Sequence, residues 1–510
     1  MAILSLILIV NCALGLALTP LAARLARRIG LLDRPDGQRK IHSGPVPLAG
    51  GLAIFIALCL SLVVGRTTSS EIADWFEQSR ISLPGLIAAG AILCLVGVID
   101  DRVTLRGRHK LAGQLLAIVV LLASGVTIES IDLFGLTIPL GLFALPATIF
   151  WLLGAINSLN LIDGMDGMVG CVGGGIALAI AALSLLTGQF AAAFIALALL
   201  GAIAGFLCFN LPPARVYLGD CGSMIIGMMI GVLALQTALK GPTTVMLTIP
   251  VALFTIPILD SAAAIARRTL TGRSIYTADR GHLHHCLERG GLSNRRILLL
   301  VSFLCLLTGL GALASLMLQR QLFAAVAGVT VIAMLLLTRL FGHSELLLLR
   351  KGFAAFLLHL RHGRDGRRIH ELCVHLQGSA DWQKLWFKAI AAANRLRSSS
   401  VRLDINIPAI QEHYHARQKL GPRPDEAQTW RFAMPLALRG RQYGRIEMHG
   451  LLDAMPMSER MGIFATVAED LQQSIGLILD RRQAARPAQA RAQARPAGSN
   501  PSPLSVVESI

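Results

Sequence analysis

Asn157, Asn160, Asp163 and Asp166 stand at three-residue intervals in NSLNLIDGMDGMVG, residues 157–170, between two apolar runs long enough to cross a bilayer. Ionisable groups at such a depth are costly and mark function by default. Carboxylate and amide oxygens are hard donors. They suit Mg²⁺, which takes few protein ligands and completes its shell with water and phosphate. A step of three drifts by about 60° on an ideal helix, so Asp163 and Asp166 are expected to share a helix face. Gly164 and Gly167 are expected to loosen the backbone there so that a ligand can approach. The bland alternative is interhelical hydrogen bonding, which does not call for two acids.

Other polar clusters punctuate the apolar runs. GVIDD (97–101) ends one run with Asp100 and Asp101, followed by Arg106, Arg108 and Lys110. Adjacent carboxylates repel each other unless a cation lies near; the alternative is a solvated helix end. YLGDCGS (217–223) places Asp220 among glycines at the start of a run, where a helix N-terminus favours an anion. DRGHLHHCLERGG (279–291) packs His282, His284 and His285 into a basic loop. Cys286 alone supports zinc poorly, so phosphate binding by the imidazoles is the preferred reading. DRPDGQRKIHSGPVPLAGG (33–51) carries Lys40 and His42 ahead of a Pro/Gly-rich approach to the second run; taken alone it reads as an ordinary basic loop.

What holds these clusters is an apolar chain. Of 510 residues, 54% are hydrophobic and only 15% charged, and the mean hydropathy is +0.62, which excludes a single soluble domain. Eleven candidate spans fall near 2–24, 49–65, 83–99, 110–126, 138–157, 168–187, 190–209, 222–239, 243–266, 296–317 and 321–341. The first is read as a retained span, not a signal peptide. Arginine and lysine crowd alternate connections, such as Arg27, Arg28, Arg34, Arg39 and Lys40 in the first. The positive-inside rule therefore predicts that these connections and the C-terminus are cytoplasmic. The net charge of +17 then reflects loops facing anionic lipid, not nucleic-acid binding. The scattered cysteines form no CxxC pair and suggest neither disulfides nor zinc. Every polar cluster falls on the same predicted face. The one long loop on the opposite face, 66–82, reads as ordinary solvated chain.

Past Phe341 the composition turns polar and basic. Residues 342–364 read as a linker, and 365–482 as a small cytoplasmic α+β domain. It would have a helix at 381–397, two strands around Gly440 within 430–449, and a closing helix at 458–482. The Ala/Arg/Pro-rich 483–510 is expected to be disordered. The predicted fold is thus an all-α polytopic membrane protein of about eleven transmembrane helices with this small α+β domain appended.

RKIH…PLAGG, GVIDD…HKLAGQ, NSLNLIDGMDG, YLGDCGS, LDSAAAIARR and HLHH, in this order, resemble the polyprenyl-phosphate N-acetylhexosamine-1-phosphate transferase family over residues 1–341. The resemblance implies that a polyprenyl phosphate attacks the β-phosphate of a UDP-sugar, releasing UMP and beginning a lipid-linked cell-envelope glycan. It implies Mg²⁺, with Mn²⁺ as an alternative. By similarity Asn160 and Asp220 match metal-binding positions. Asp100 matches a base or orienter of the lipid phosphate, with Asp101 beside it. Asp163 and Asp166 match residues near nucleotide and metal. Lys110 and Lys40 match basic positions lining the cleft, and the three histidines match a loop holding diphosphate or sugar. Asn157 and His42 join the substrate-binding candidates. The implied site is a bacterial inner membrane with the active site cytoplasmic, and a homodimer or docked downstream glycosyltransferases are further expectations. Leu283 interrupts the histidine run and Leu48 stands in PLAGG, features similar to GlcNAc-type enzymes more than to the phospho-MurNAc-pentapeptide transferase. Other UDP-HexNAc donors stay open. The rival classes are a secondary transporter, whose site would lie near mid-membrane, and a sensor with the tail as output. The tail itself faintly resembles half of a GAF-type domain.

Overall fold

The structure is a computed structural model. It describes residues 2–33, 44–79, 81–239, 244–270, 281–343, 346, 370–377, 382–407, 412–420, 429–438, 441–452 and 455–493. The chain divides into two compact units, Met1–Leu346 and Leu347–Ile510.

The first unit is a helical bundle. In chain order it comprises α1 (Ala2–Ile29), the short strands β1 (Leu32–Asp33) and β2 (Val46–Pro47), α2 (Gly50–Thr68), α3 (Ser70–Gln78), α4 (Leu83–Val103) and α5 (Gly107–Ala123). There follow β3 (Ser130–Leu133), β4 (Leu136–Pro139), α6 (Ala144–Ile162), α7 (Met168–Leu186), α8 (Phe190–Asn210) and α9 (Gly219–Thr237). The unit closes with β5 (Thr244–Met246), α10 (Thr248–Leu253), α11 (Thr255–Leu270), α12 (Leu283–Arg289), α13 (Asn294–Met317) and α14 (Leu322–Leu337).

Among the described residues, eight helices are long and apolar enough to cross a membrane. The protein is a mostly helical, multi-span membrane protein. The three other expected runs are also helical but fall short of that standard: α5 has 17 residues, α14 has 16, and the run at 243–266 is broken. The break has a local cause. Pro257 has no N–H to offer the preceding turn, so α10 ends at Leu253 and α11 restarts with Pro257 in its first turn, where that donor is not needed. The loop expected at 66–82 holds a further element, α3. The Ser69 hydroxyl accepts the Ile72 N–H at 3.3 Å as an N-cap, and Ile72 and Phe76 are buried.

Helix α9 is the axis of the bundle, buried along nearly its whole length. Helices α2 and α4 approach its N-terminal end backbone to backbone. A Cβ added at Gly97 would collide with the Cα of Cys221, and one at Gly51 with the backbone of Gly222. Small residues are the usual device for close packing where lipid supplies no hydrophobic drive between helices. Here the close fit brings Asp100 and Asp101, at the end of α4, onto the start of α9. At the other end of the bundle, β3 pairs with β4 antiparallel and with β5 in parallel. The buried carboxylate of Asp132 accepts from the Gln321 side chain and the Gly135 N–H, tying the α5–α6 connection to the one between α13 and α14.

The second unit contains an antiparallel sheet. Its strands are β6 (His370–Gln377), β7 (Ser398–Ile407), β8 (Glu412–Lys419), β9 (Thr429–Leu438) and β10 (Arg441–Leu451), in the order β6-β8-β7-β10-β9. Helices α15 (Gln383–Arg395) and α16 (Met457–Gln493) complete it. The expected strand pair around Gly440 is the β9–β10 ladder, and both expected helices form. Its core gathers Trp382, Trp386, Leu403, Ile405 and Leu471. Helix α16 runs on to Gln493, into the stretch expected to be disordered, and 494–510 lie outside the described residues.

Candidate active site

The connection between α6 and α7 departs from the sequence expectation. Helix α6 ends at Ile162, so Asp163 is its C-cap and Asp166 lies in the following loop; the two acids do not share a helix face. Gly167, the N-cap of α7, adopts a φ of 77°, so α6 and α7 cannot run on as one helix.

Lys110 anchors the first cluster. Its Nζ lies 2.9 Å from Asp100 Oδ2 and 3.0 Å from Asp220 Oδ2, and donates to Asn160 Oδ1 at 3.0 Å. Asn160 in turn donates to Asp220 Oδ1 at 2.6 Å and to the Ser223 hydroxyl at 2.9 Å. Four helices, α4, α5, α6 and α9, thus meet at one ammonium. Asp100 Oδ1 accepts the Leu105 N–H at 2.7 Å, so both its oxygens are engaged. Asp101 instead accepts the Asp220 backbone N–H at 3.0 Å and sits across the start of α9.

Behind this cluster Asn157 and Gln114 exchange hydrogen bonds, 2.9 Å from Asn157 Nδ2 to Gln114 Oε1 and 3.3 Å in return. Asn157 therefore faces α5, between helices. Asp166 Oδ2 accepts the Ala214 N–H at 2.9 Å, and Asn210 accepts the Gly167 N–H at 3.0 Å while donating to Val216 O at 2.9 Å. These bonds tie the α6–α7 loop to the α8–α9 loop. Asp163 accepts no hydrogen bond from a described residue. Burial, reinforced by the carboxylates of Asp220 and Asp101, pushes it up to about 8.

The three histidines lie together. Asp260 of α11 is fully buried and contacts His282, whose ring stacks at 6.2 Å on that of His284. His284 lies 4.1 Å from His285, centroid to centroid. His284 is buried, and neither ring nitrogen has a hydrogen-bond partner among the described residues. Burial holds it at about 2, so it is a neutral imidazole at any working pH. Its ring occupies the space above Gly164, where a Cβ would strike it. Gly164→Val is expected to expel the ring and to destabilise this unit by about 1–3 kcal/mol, measured as a lower midpoint of thermal unfolding. An unchanged midpoint would show that the ring is not seated on Gly164.

A cavity of 580 Å³ joins these groups. Its wall is drawn from five separate connections: Asp33 and Leu48, Asp101, Asp163 to Asp166, Asn210 and Tyr217 to Asp220, and His284, His285, Glu288 and Asn294. Asp100, Lys110, Asn157, Asn160 and His282 stand behind that wall, and Lys40 and His42 lie outside the described residues.

The chain was compared with known proteins. Residues 83–238 match the model of glycosyl transferase family 4. A probable undecaprenyl-phosphate N-acetylglucosaminyl 1-phosphate transferase of Bacillus subtilis is 31% identical over 296 residues, 58% of this chain and 79% of that protein. The chain belongs to glycosyl transferase family 4. A decaprenyl-phosphate N-acetylglucosaminephosphotransferase of Mycolicibacterium smegmatis is 33% identical over 62% of this chain and 82% of its own. An undecaprenyl-phosphate alpha-N-acetylglucosaminyl 1-phosphate transferase of Salmonella typhi is 30% identical over 58% and 79%. The segment matching the family 4 model runs from α4 to α9 and so contains every acid from Asp100 to Asp220.

In this family 4 chain the cavity chemistry fits a divalent cation. Six carboxylates, from Asp33, Asp101, Asp163, Asp166, Asp220 and Glu288, line one space. An anionic diphosphate entering it would be repelled without added positive charge. Among the described residues no three acidic, imidazole or thiol side chains form a ready-made metal cage. Mg²⁺ does not need one, since it is commonly bound by one or two carboxylates plus substrate phosphate and water. Sequence reasoning missed Asn210, Tyr217, Glu288 and Asn294 in the wall and Gln114 behind it. Only Asn210 and Gln114 carried a signal, as amides within or at the end of an apolar run.

Proposed function

We propose that this chain transfers GlcNAc-1-phosphate from UDP-GlcNAc to undecaprenyl phosphate. A phosphate oxygen of the lipid attacks the β-phosphorus, the bond from that phosphorus to the bridging oxygen breaks, and UMP leaves. The observation that carries this reading is the single acid-rich cavity built from five connections of one end of a membrane bundle, in a family whose curated relatives carry such names. A site at one end of the spans suits a reaction joining a soluble nucleotide to a lipid headgroup, and it speaks against a transporter site at mid-membrane. The basic connections on this face support a cavity that opens on the cytoplasmic side of a bacterial inner membrane.

Bound magnesium would supply Lewis-acid neutralisation of the diphosphate, with Asp220 and Asp101 as the carboxylates that would hold it. The chain's own residues do the rest. Asp163, which accepts from no described residue, faces the reacting phosphates and accepts or orients a proton of the lipid phosphate. Lys110 keeps Asp220 and Asn160 in place, and Asp100 acts through Lys110. His284 offers a neutral ring nitrogen to the sugar or diphosphate. Leu48, on the cavity wall, and the interrupted histidine run favour GlcNAc over MurNAc-pentapeptide.

The test is UMP release by purified protein in detergent with UDP-GlcNAc, undecaprenyl phosphate and Mg²⁺. UMP must appear only when lipid and nucleotide sugar are both present. Release with UDP-MurNAc-pentapeptide and none with UDP-GlcNAc would replace the reading.

A further inference from the structure

Asp260 is fully buried in α11 and does not line the cavity. Its carboxylate is nevertheless engaged at both oxygens by the start of α12. Oδ2 lies 2.7 Å from His282 Nδ1, and Oδ1 accepts the Leu283 backbone N–H at 2.7 Å. A carboxylate only accepts hydrogen bonds, so Nδ1 is the protonated nitrogen and the tautomer of His282 is set. One bond fixes the rotation of the ring. The other fixes the direction in which α12 departs.

Both constraints pass to the cavity wall. The His282 and His284 rings are nearly parallel, 6° apart, and His284 lies against His285. Among the described residues His284 has no hydrogen-bond partner, so none of their polar groups orients its ring. Its placement comes from packing between His282, His285 and Gly164. We propose that Asp260 is the positioning residue of this histidine stack, and that it sets how His284 and His285 meet the sugar-diphosphate half of the donor. The proposal rests on the transferase reading above.

Asp260→Asn keeps the size of the side chain and can still accept the Leu283 N–H, but it turns an amide N–H₂ toward His282 Nδ1 and forces the other tautomer. In the UMP-release assay kcat/KM for UDP-GlcNAc is expected to fall roughly 10- to 100-fold, the scale seen when a carboxylate that orients a functional histidine is removed. KM for undecaprenyl phosphate is expected to stay unchanged. In a His282→Ala background the same substitution is expected to add nothing, because it acts through that ring.

If wild-type protein releases no UMP, the transferase reading has failed. If wild type is active and Asp260→Asn matches it, or costs as much without His282 as with it, the positioning role is overturned. Should Asp260→Asn not accumulate as folded protein, His282→Ala must by itself show the donor-side loss with an unchanged lipid KM. Full activity of that variant overturns the proposal.

Discussion

Lys110→Met is expected to abolish measurable UMP release and to lower the thermal midpoint of the protein. The ammonium is the shared partner of Asp100 Oδ2 and Asp220 Oδ2, at 2.9 and 3.0 Å, and donates to Asn160 as well. Its side chain is only 17% exposed. Removing one member of such a buried cluster costs about 3–5 kcal/mol, because uncompensated charge stays behind. Two carboxylates and an amide oxygen then face one another, and the end of α4 is pushed off α9. Lys110→Arg is expected to rescue poorly, since a planar guanidinium cannot replace a compact ammonium reaching three acceptors from one point. The discriminating variant is Lys110→Met with Asp100→Asn, which removes one negative charge along with the positive one. It is expected to recover much of the midpoint and none of the turnover. Recovery of turnover as well would mean that Lys110 serves only the fold.

Asp163→Asn is expected to give the second large effect, with two separate readouts. Turnover should fall by about 10²–10⁴-fold, the usual contribution of a positioned proton acceptor. The other readout is stability against pH in magnesium-free protein. The folded carboxyl is pushed up to about 8 by burial and by Asp220 and Asp101, against about 3.9 in an unfolded chain. Between those values the folded state holds a proton that the unfolded state has released. Stability therefore falls as pH rises from about 4 to about 8, and the full penalty stands above that range. Asn cannot ionise, so the variant should lose this slope and be the more stable protein in alkali, by a few degrees. Magnesium added above pH 8 should raise the wild-type midpoint by mass action and the variant's by less. Superimposable pH curves for the two proteins would remove Asp163 from the charged centre of the cavity.

Hydropathy alone located the long apolar helices of the bundle, because a span must satisfy its own backbone and stay apolar for about 20 residues. Local sequence likewise located the β9–β10 pair through its alternation around Gly440, and the two helices α15 and α16. It erred where a local cue was outweighed. The period of three through Asp163 and Asp166 reads as one helix face, yet α6 ends at Ile162 and Gly167, at a φ of 77°, opens a separate helix beyond both acids. The stretch 66–82 reads as loop because its short apolar stripe, Ile72 and Phe76, has meaning only against a neighbouring helix. Strands β6, β7 and β8 were not read at all, as their pairing partners are far along the chain.

The same division runs through the site. Residue types and their clustering at one end of the spans are properties of the sequence, and they were enough to name Asp100, Asp163, Asp220 and the histidines. Which atom meets which is decided by partners 50 to 119 residues apart, as in Lys110 with Asn160 and Asp101 with Asp220. No periodicity encodes such a meeting, which follows from how closely glycine lets α2 and α4 approach α9. The sequence by itself therefore determined that this chain crosses a membrane and carries acids, amides and imidazoles on one face. Only the tertiary structure decided that Asn157 holds helix to helix, that Asp166 lines the cavity while pinning the α8–α9 loop, that Lys110 gathers four helices, and that Asp163 is left facing the cavity. The physical reason is that burial is written locally in side-chain chemistry, whereas hydrogen-bond partnership depends on the packing of distant helices.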